Sequence, residues 1–374
     1  MPLDIGLELG VTLEIVDEPE AATPPTQTDT GFLIHTVSGS GAPASEVTEV
    51  RSSGEARDLF PNDPALTTIT DGYFSIGGGR LFISPLGSDA LAAAEAFTPE
   101  YGPGQLMAPE VLTAAKQADL VQWAWDNNHI YLASAPANST QAQLETLSDT
   151  LISPEGRFSG LWGDVIQVPG LAPGTSRDLD SAVAVGALIA RSDILTGNPN
   201  LAAAGNHTPG AAGQVDFAIG VTPERALQEI RELAKAQVNS FRRVNKRVRN
   251  YGFWTLADLD QLPQWWDLSG SRTIMALRAR EEAVAEELLF GQVAADGIFL
   301  DRYQSSLAAV CAELQRIGAI YGTDRAPGYR VDVSMNPTSQ IATGLVQASV
   351  IVKTSPFAAA LRINLIRRAI TQPL

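Results

Sequence analysis

The chain has 374 residues, 45% hydrophobic and 18% charged, a globular balance that excludes a disordered polymer and leaves room for about two packed units. Lys plus Arg total 26 against 42 Asp plus Glu, and the formal net charge of -16 argues against a general nucleic-acid binder. One cysteine, Cys311, excludes a disulfide framework within the chain; it sits in the apolar pattern YQSSLAAVCAELQRIGAIYG, where a buried, inert thiol is expected.

The chain opens on MPLDIGLELGVTLEIVDE, with Leu3, Ile5, Leu7, Leu9, Val11, Leu13 and Ile15 at every odd position. Between them stand Asp4, Gly6, Glu8, Gly10, Thr12 and Glu14. Side chains alternate across a strand, so this reads as one long strand with an apolar face and an acidic face carrying Asp4, Glu8 and Glu14. Extended, it would reach about 40 Å at ~3.3 Å per residue, far longer than an ordinary strand. Such a strand needs a partner to pair with. No Lys or Arg precedes Arg51 and the apolar residues alternate, so no secretory signal is read. The longest apolar stretch, SAVAVGALIA, falls short of the ~20 residues that span a bilayer. A soluble protein of a reducing compartment, without membrane insertion, is expected.

The Pro-rich DEPEAATPPTQTDT reads as a linker, and GFLIHTV as a short strand buried on both faces. ALTTITDGYFSIGGGRLFISPLG reads as helix, Gly-rich turn and buried strand. A helix from about Pro109 to Asn127 and the strand IYLASA repeat that order. STQAQLETLSDTLI is expected to be a helix capped by Ser139, with Leu144, Leu147 and Leu151 on one face. LWGDVIQVPG reads as one strand and SAVAVGALIARSD as a helix. This alternation predicts a layered α/β sheet.

Near Asn198 the texture changes to a Gly/Ala/Pro/Asn-rich loop, a domain boundary by composition. TPERALQEIRELAKAQV is expected to be a helix capped by Thr222 with Pro223 at its first position. FRRVNKRVRNYGFWTLAD looks like a hairpin. Helices are expected over about Ser271 to Phe290 and Tyr303 to Ile320, followed by strands in YRVDVSM, GLVQASVIVKT and LRINLIRR. The last holds Leu361, Arg362, Ile363, Leu365, Arg367 and Arg368, a basic counterpart to the acidic opening strand. The first fifty residues carry acids only, and no acid follows Asp332, so the two ends are electrostatically complementary within one chain or between chains.

The three histidines, His35, His129 and His207, stand in no ligand spacing, so no metal is expected. GGGR at Gly77–Arg80 lacks both the Walker and the dinucleotide spacing, so no cofactor is expected. DTG at Asp29–Gly31, His129 and GTS at Gly174–Ser176 follow the chain order of a subtilisin-like triad, which keeps a hydrolase with Asp29, His129 and Ser176 as an alternative. Against it, His129 stands in NNHIY and Ser176 is followed by Arg177 and Asp178. The run Arg242, Arg243, Lys246, Arg247 and Arg249 is the strongest positive patch, either a solvated hairpin or a docking surface for an acidic partner.

Several segments resemble, in order, the contractile tail sheath proteins of bacteriophages and related injection machines. LGVTLEIVDEPEAATPPTQTDTGFLIHTV resembles that family's strand, linker and first core strand. DGYFSIGGGRLFISPLG matches at Tyr73, Phe74, Gly77 and Gly78; SAVAVGALIARSDILTG matches at Ser181, Ala184, Gly186, Ala190, Arg191, Asp193 and Gly197. GQLMAPEV and the C-terminal YRVDVSMNPTSQIATGLVQASVIVKTSPFAAALRINL resemble further segments.

The resemblance implies a non-catalytic α/β core with a subtilisin-like layered sheet, an α+β C-terminal domain, and extended N- and C-terminal arms. The divisions expected are 1–28 for the N-terminal arm and linker, 29–221 for the core, 222–355 for the α+β domain and 356–374 for the C-terminal arm. It further implies a virion tail protein assembled in the bacterial host cytoplasm, forming hexameric rings stacked helically around a tail tube. Contraction would drive the tube through the target envelope. Implied partners are the chain itself, the tail tube protein, and baseplate and tail terminator proteins, with no nucleic acid. The basic run around Lys246 is the candidate tube-facing patch. A self-assembling, non-contractile structural protein is the other alternative.

Overall fold

The computed structural model describes residues 27–37, 46–170, 172–205 and 213–359. The apolar run Thr30–His35 forms β1, buried at all six positions, and β2 (Thr48–Val50) and α1 (Ser53–Leu59) follow. Helix α2 (Pro64–Ile76) is started by Asp63, whose carboxylate accepts the Leu66 N–H, with Pro64 in its first turn. It stops at Gly77, whose φ of 110° suits only glycine. Next come β3 (Leu81–Pro85), α3 (Ala90–Glu95), β4 (Gly104–Met107), α4 (Ala114–Asp126) and β5 (Ile130–Ser134).

Helix α5 (Gln141–Leu151) is capped by Thr140 in a capping box with Gln143, one residue beyond the expected Ser139. Ser139 instead donates its hydroxyl to the Pro136 carbonyl. The stretch expected to be one strand is two, β6 (Ser159–Trp162) and β7 (Val165–Pro169), broken at Gly163–Asp164 because each joins a different sheet. Strand β8 (Ser176–Asp180) leads into α6 (Ser181–Thr196), capped by the Asp180 carboxylate and closed by Gly197. After β9 (Gln214–Val215), β10 (Gly220–Thr222) occupies the position expected to cap a helix. Thr222 is held there by pairing with Val165, so α7 starts later, at Leu227–Lys235. Then follow β11 (Val238–Asn239), β12 (Phe241–Val244), β13 (Arg247–Asn250), α8 (Leu268–Leu288), α9 (Ile298–Arg316), β14 (Tyr329–Asp332), α10 (Thr338–Ile341) and β15 (Ser349–Val352).

The main sheet has seven strands in the order β11-β6-β5-β4-β1-β3-β2, parallel except for β2. Strand alternation splits its side chains between two cores. Leu33, Ile130 and Leu132 pack with α1, α2 and α6, whereas Phe32, Ile34 and Tyr131 pack with α3, α4, α5 and α7. Residues after 222 return to this sheet as β11. A smaller core of Leu277, Leu307, Cys311, Leu314, Ile320 and Val331 joins α8, α9 and the two-stranded β14–β15 sheet. Burial and the nearby Glu281 push the Cys311 thiol up to about 12, which makes it the inert buried thiol expected.

The expected arm residues fall outside the described residues. These are Leu3, Asp4, Ile5, Leu7, Glu8, Leu9, Val11, Leu13, Glu14 and Ile15 at one end, and Leu361, Arg362, Ile363, Leu365, Arg367 and Arg368 at the other.

Candidate functional site

The residues ordered like a triad do not assemble one. His129 is buried on the α4 side of the main sheet, 4.6 Å from the Phe32 ring centroid and 4.9 Å from that of Trp123. Burial pushes its pKa down to about 3, so the imidazole is a neutral core group. Ser176 opens β8, which packs against α2 and α6 on the opposite side of the sheet. A nucleophile and its base need hydrogen-bond contact; here the sheet lies between them.

In doubly wound folds ligands bind beyond the carboxyl ends of the strands where strand order reverses. In this sheet that point lies between β1 and β4. It is filled by the buried His35, whose ring nitrogens lie 3.4 Å from Asp63 Oδ2 and 3.3 Å from Glu110 Oε1. Glu110 also accepts the Thr36 N–H at 2.7 Å. The two carboxylates face opposite nitrogens and do not converge on a point. Among the described residues no cluster of three or more His, Cys, Asp or Glu could hold a metal ion.

A second buried lock ties the root of β1 to α6 and α8. The fully buried Arg272 pairs with Asp193 and donates to the Leu201 carbonyl at 3.1 Å, and Thr28 donates its hydroxyl to Asp193 at 2.6 Å. Burial pushes the Asp193 carboxyl up, opposed by the Arg272 charge and hydrogen bond. This lock holds Thr28 where the chain enters from residue 26. Sequence reading found Asp193 within a matched motif but missed Arg272, which looks like one more surface arginine of α8.

The basic run forms the β12–β13 hairpin, closed by Asn245 and Lys246 with φ of 51° and 66°, a two-residue turn matched to strand twist. Both ends are anchored. The Phe241 N–H donates to buried Asp164 at 2.8 Å, and Asn250 accepts from the Trp162 indole at 3.1 Å while donating to the Ala203 carbonyl at 2.8 Å. Register puts Arg242 directly opposite Arg249. Arg243, Lys246 and Arg247 are exposed, Arg242 lies 5.3 Å over the Tyr251 ring, and Arg247 reaches Gln214 at 3.4 Å. No ion pair neutralises any of these five cations among the described residues. Like charges directly across a ladder destabilise it by up to ~1 kcal/mol, so the hairpin concentrates positive charge at a cost.

At the other end, the β14–β15 sheet carries no third strand on either edge among the described residues. Its inner face buries Val331 on α9, and Ile351 on the outer face is 58% exposed. Unpaired edges invite strand addition.

This architecture is that of the contractile sheath proteins. A chain of the 6-fold symmetrised cryo-EM structure of the anti-feeding prophage (AFP) baseplate superposes with a TM-score of 0.72 at 16% identity, covering 96% of this chain and 99% of that one. A chain of the PVC sheath complex, from an extracellular contractile injection system in the contracted state, gives 0.74 at 14% identity over 97% and 98%. The crystal structure of a sheath tail protein from Desulfitobacterium hafniense gives 0.58 at 12% identity over 87% and 93%. No family model matches the sequence. No curated protein sequence matches it either. What the chain shares with these structures at such identities is the sheath-protein fold.

Proposed function

We propose that this chain is a structural sheath subunit of a contractile tail or injection device, without enzymatic activity. The observation that carries the proposal is the end-to-end correspondence of its fold with the AFP and PVC chains, 96–97% of this chain against 98–99% of theirs. The core is read as subtilisin-like in its layering, and the separation of Ser176 from His129 by the sheet supports its being non-catalytic.

In this reading the subunits form hexameric rings stacked helically around a tail tube, bounded by baseplate and terminator proteins. The assembly forms in the host cytoplasm and serves as the contractile tail. Head-to-tail contacts that do not close generate such filaments. The arms (1–28 and 356–374) link subunits by adding strands to neighbours, and the open edges of β14–β15 suit them. Leu3, Ile5, Leu7, Leu9, Val11, Leu13 and Ile15 then set register, each contributing about 1.5–3 kcal/mol where fully buried. Asp4, Glu8 and Glu14 complement Arg362, Arg367 and Arg368 of the basic C-terminal arm, whose Leu361, Ile363 and Leu365 supply its apolar face. Contraction is release from a metastable packing to a lower-energy one, with the cores (29–221 and 222–355) sliding as rigid units. The basic hairpin around Lys246 serves as a docking surface for an acidic partner.

The test is charge reversal at Asp4→Lys, Glu8→Lys and Glu14→Lys, with polymer scored by electron microscopy. Impaired tube formation is expected; unimpaired tubes would remove the electrostatic part of the arm exchange.

A further inference from the structure

The stretch Glu281–Asp301 contains six acids and no base, the reverse of the hairpin Arg242–Arg249 with five bases and no acid. It spans the end of α8, the connecting loop and the start of α9. Five of these acids, Glu282, Glu286, Glu287, Asp296 and Asp301, are exposed. Arg278 and Arg302 pair with Glu282 and Glu287, while Glu286, Asp296 and Asp301 have no ion pair among the described residues.

The same tip is apolar at its apex. Leu289 is 57% exposed, Phe290 98% and Ile298 67%. Next to Phe290 lies a notch of about 320 Å³ lined by Leu289, Gly291, Ile298 and Phe299. A fully exposed phenylalanine held at a φ of 62° has no packing role in its own subunit. The hairpin offers a matching mixture, with exposed Tyr251 beside Arg242 and half-buried Val244 on its strand.

We infer that the acidic, apolar α8–α9 tip of one subunit docks on the basic β12–β13 hairpin of a second copy of this chain. The inference rests on the sheath reading, and names one of its contacts. Complementary patches on different parts of one chain make a heterologous contact, which propagates instead of closing on itself. Five exposed or half-exposed cations facing five exposed acids steer the encounter, and Phe290 against Tyr251 supplies the desolvated centre. Contact of this kind also relieves the like-charge pair Arg242–Arg249 within the hairpin.

The test uses two full-length variants. The first, Arg243→Glu/Lys246→Glu/Arg247→Glu, is negative on both patches; the second, Glu282→Lys/Glu286→Lys/Glu287→Lys/Asp301→Lys, leaves only Glu281 and Asp296 as acids of the tip and is positive on both. Each alone should lose the polymer formed by wild type at the same concentration and salt, and an equimolar mixture should regain it. Association of the mixture should also appear in sedimentation velocity and weaken as salt rises. Polymers from either variant alone at wild-type levels would overturn the inference. So would variants that melt normally but do not associate when mixed, an outcome that leaves the hairpin to another acidic surface such as the tube. If wild type associates, each variant alone does not and the mixture does, but no hollow tubes form, the sheath reading fails and this contact stands.

Discussion

Replacing Arg272 with Met removes a guanidinium from a position with no solvent exposure. The Asp193 carboxylate is then left in the interior with the Thr28 hydroxyl at 2.6 Å as its remaining side-chain donor, and the Leu201 carbonyl loses its 3.1 Å bond. Stranding one member of a buried ion pair costs about 3–5 kcal/mol, a large share of a typical total of ~5–15 kcal/mol. Changing Asp193 to Asn in the same chain removes the stranded charge, so the double variant should recover at least ~2 kcal/mol of that loss. The assay is urea unfolding in dilute solution, at a concentration where sedimentation finds only monomer. Burial already raises the Asp193 pKa, and losing Arg272 raises it further. Protonation then neutralises the stranded group, so the Arg272→Met deficit should shrink as pH falls. A deficit under ~1 kcal/mol, or a double variant no better than the single, would refute the lock.

Glu281 faces Tyr303 and Cys311 of α9 with no counter-ion among the described residues, and burial pushes its pKa from 4.5 up to about 7. The native state therefore holds the proton longer than the unfolded chain, and stability falls as pH rises from about 4.5 to 7, by on the order of 1–2 kcal/mol after discounting its partial exposure. Glu281→Gln should stabilise the protein at pH ~8 and change little near pH ~4.5 in urea melts; equal effects at both would contradict this. His129 works in the other direction, since its folded pKa of about 3 lies below the ordinary 6.5. Its contribution is present above pH 6.5 and lost toward pH 3 with a slope of up to ~1.4 kcal/mol per unit, so His129→Phe should flatten the acid limb of the stability profile. An unaltered acid limb would show that His129 is not buried as described. Neither wild type nor Ser176→Ala should cleave peptide substrates, and a turnover abolished by Ser176→Ala would overturn the separation of Ser176 from His129.

The parallel strands were legible because burial on both faces leaves continuous apolar runs such as GFLIHTV and IYLASA between amphipathic helices. The β6–β7 break was not, since Gly163–Asp164 changes the sheet being joined without interrupting the apolar pattern. Thr222–Pro223 looked like a helix start locally, and tertiary pairing of Thr222 with Val165 overrode it. The basic hairpin could be read from its spacing, but its anchoring by Asp164 and Asn250 depends on residues far away in sequence. The locks at His35 and Arg272 were invisible for the same reason: each is made by groups from separate elements, and a lone charge in a helical pattern reads as surface. The Asp29, His129 and Ser176 order shows the converse, a pattern legible in the chain that the sheet keeps apart.

Electron microscopy of the purified full-length chain, beside a version lacking residues 1–18, bears most directly on whether this is a sheath subunit linked by strand exchange. Ordered hollow tubes from the full chain, lost on truncation, are the predicted result. Discrete particles in both samples would contradict it, and would mean that the opening strand pairs within its own subunit.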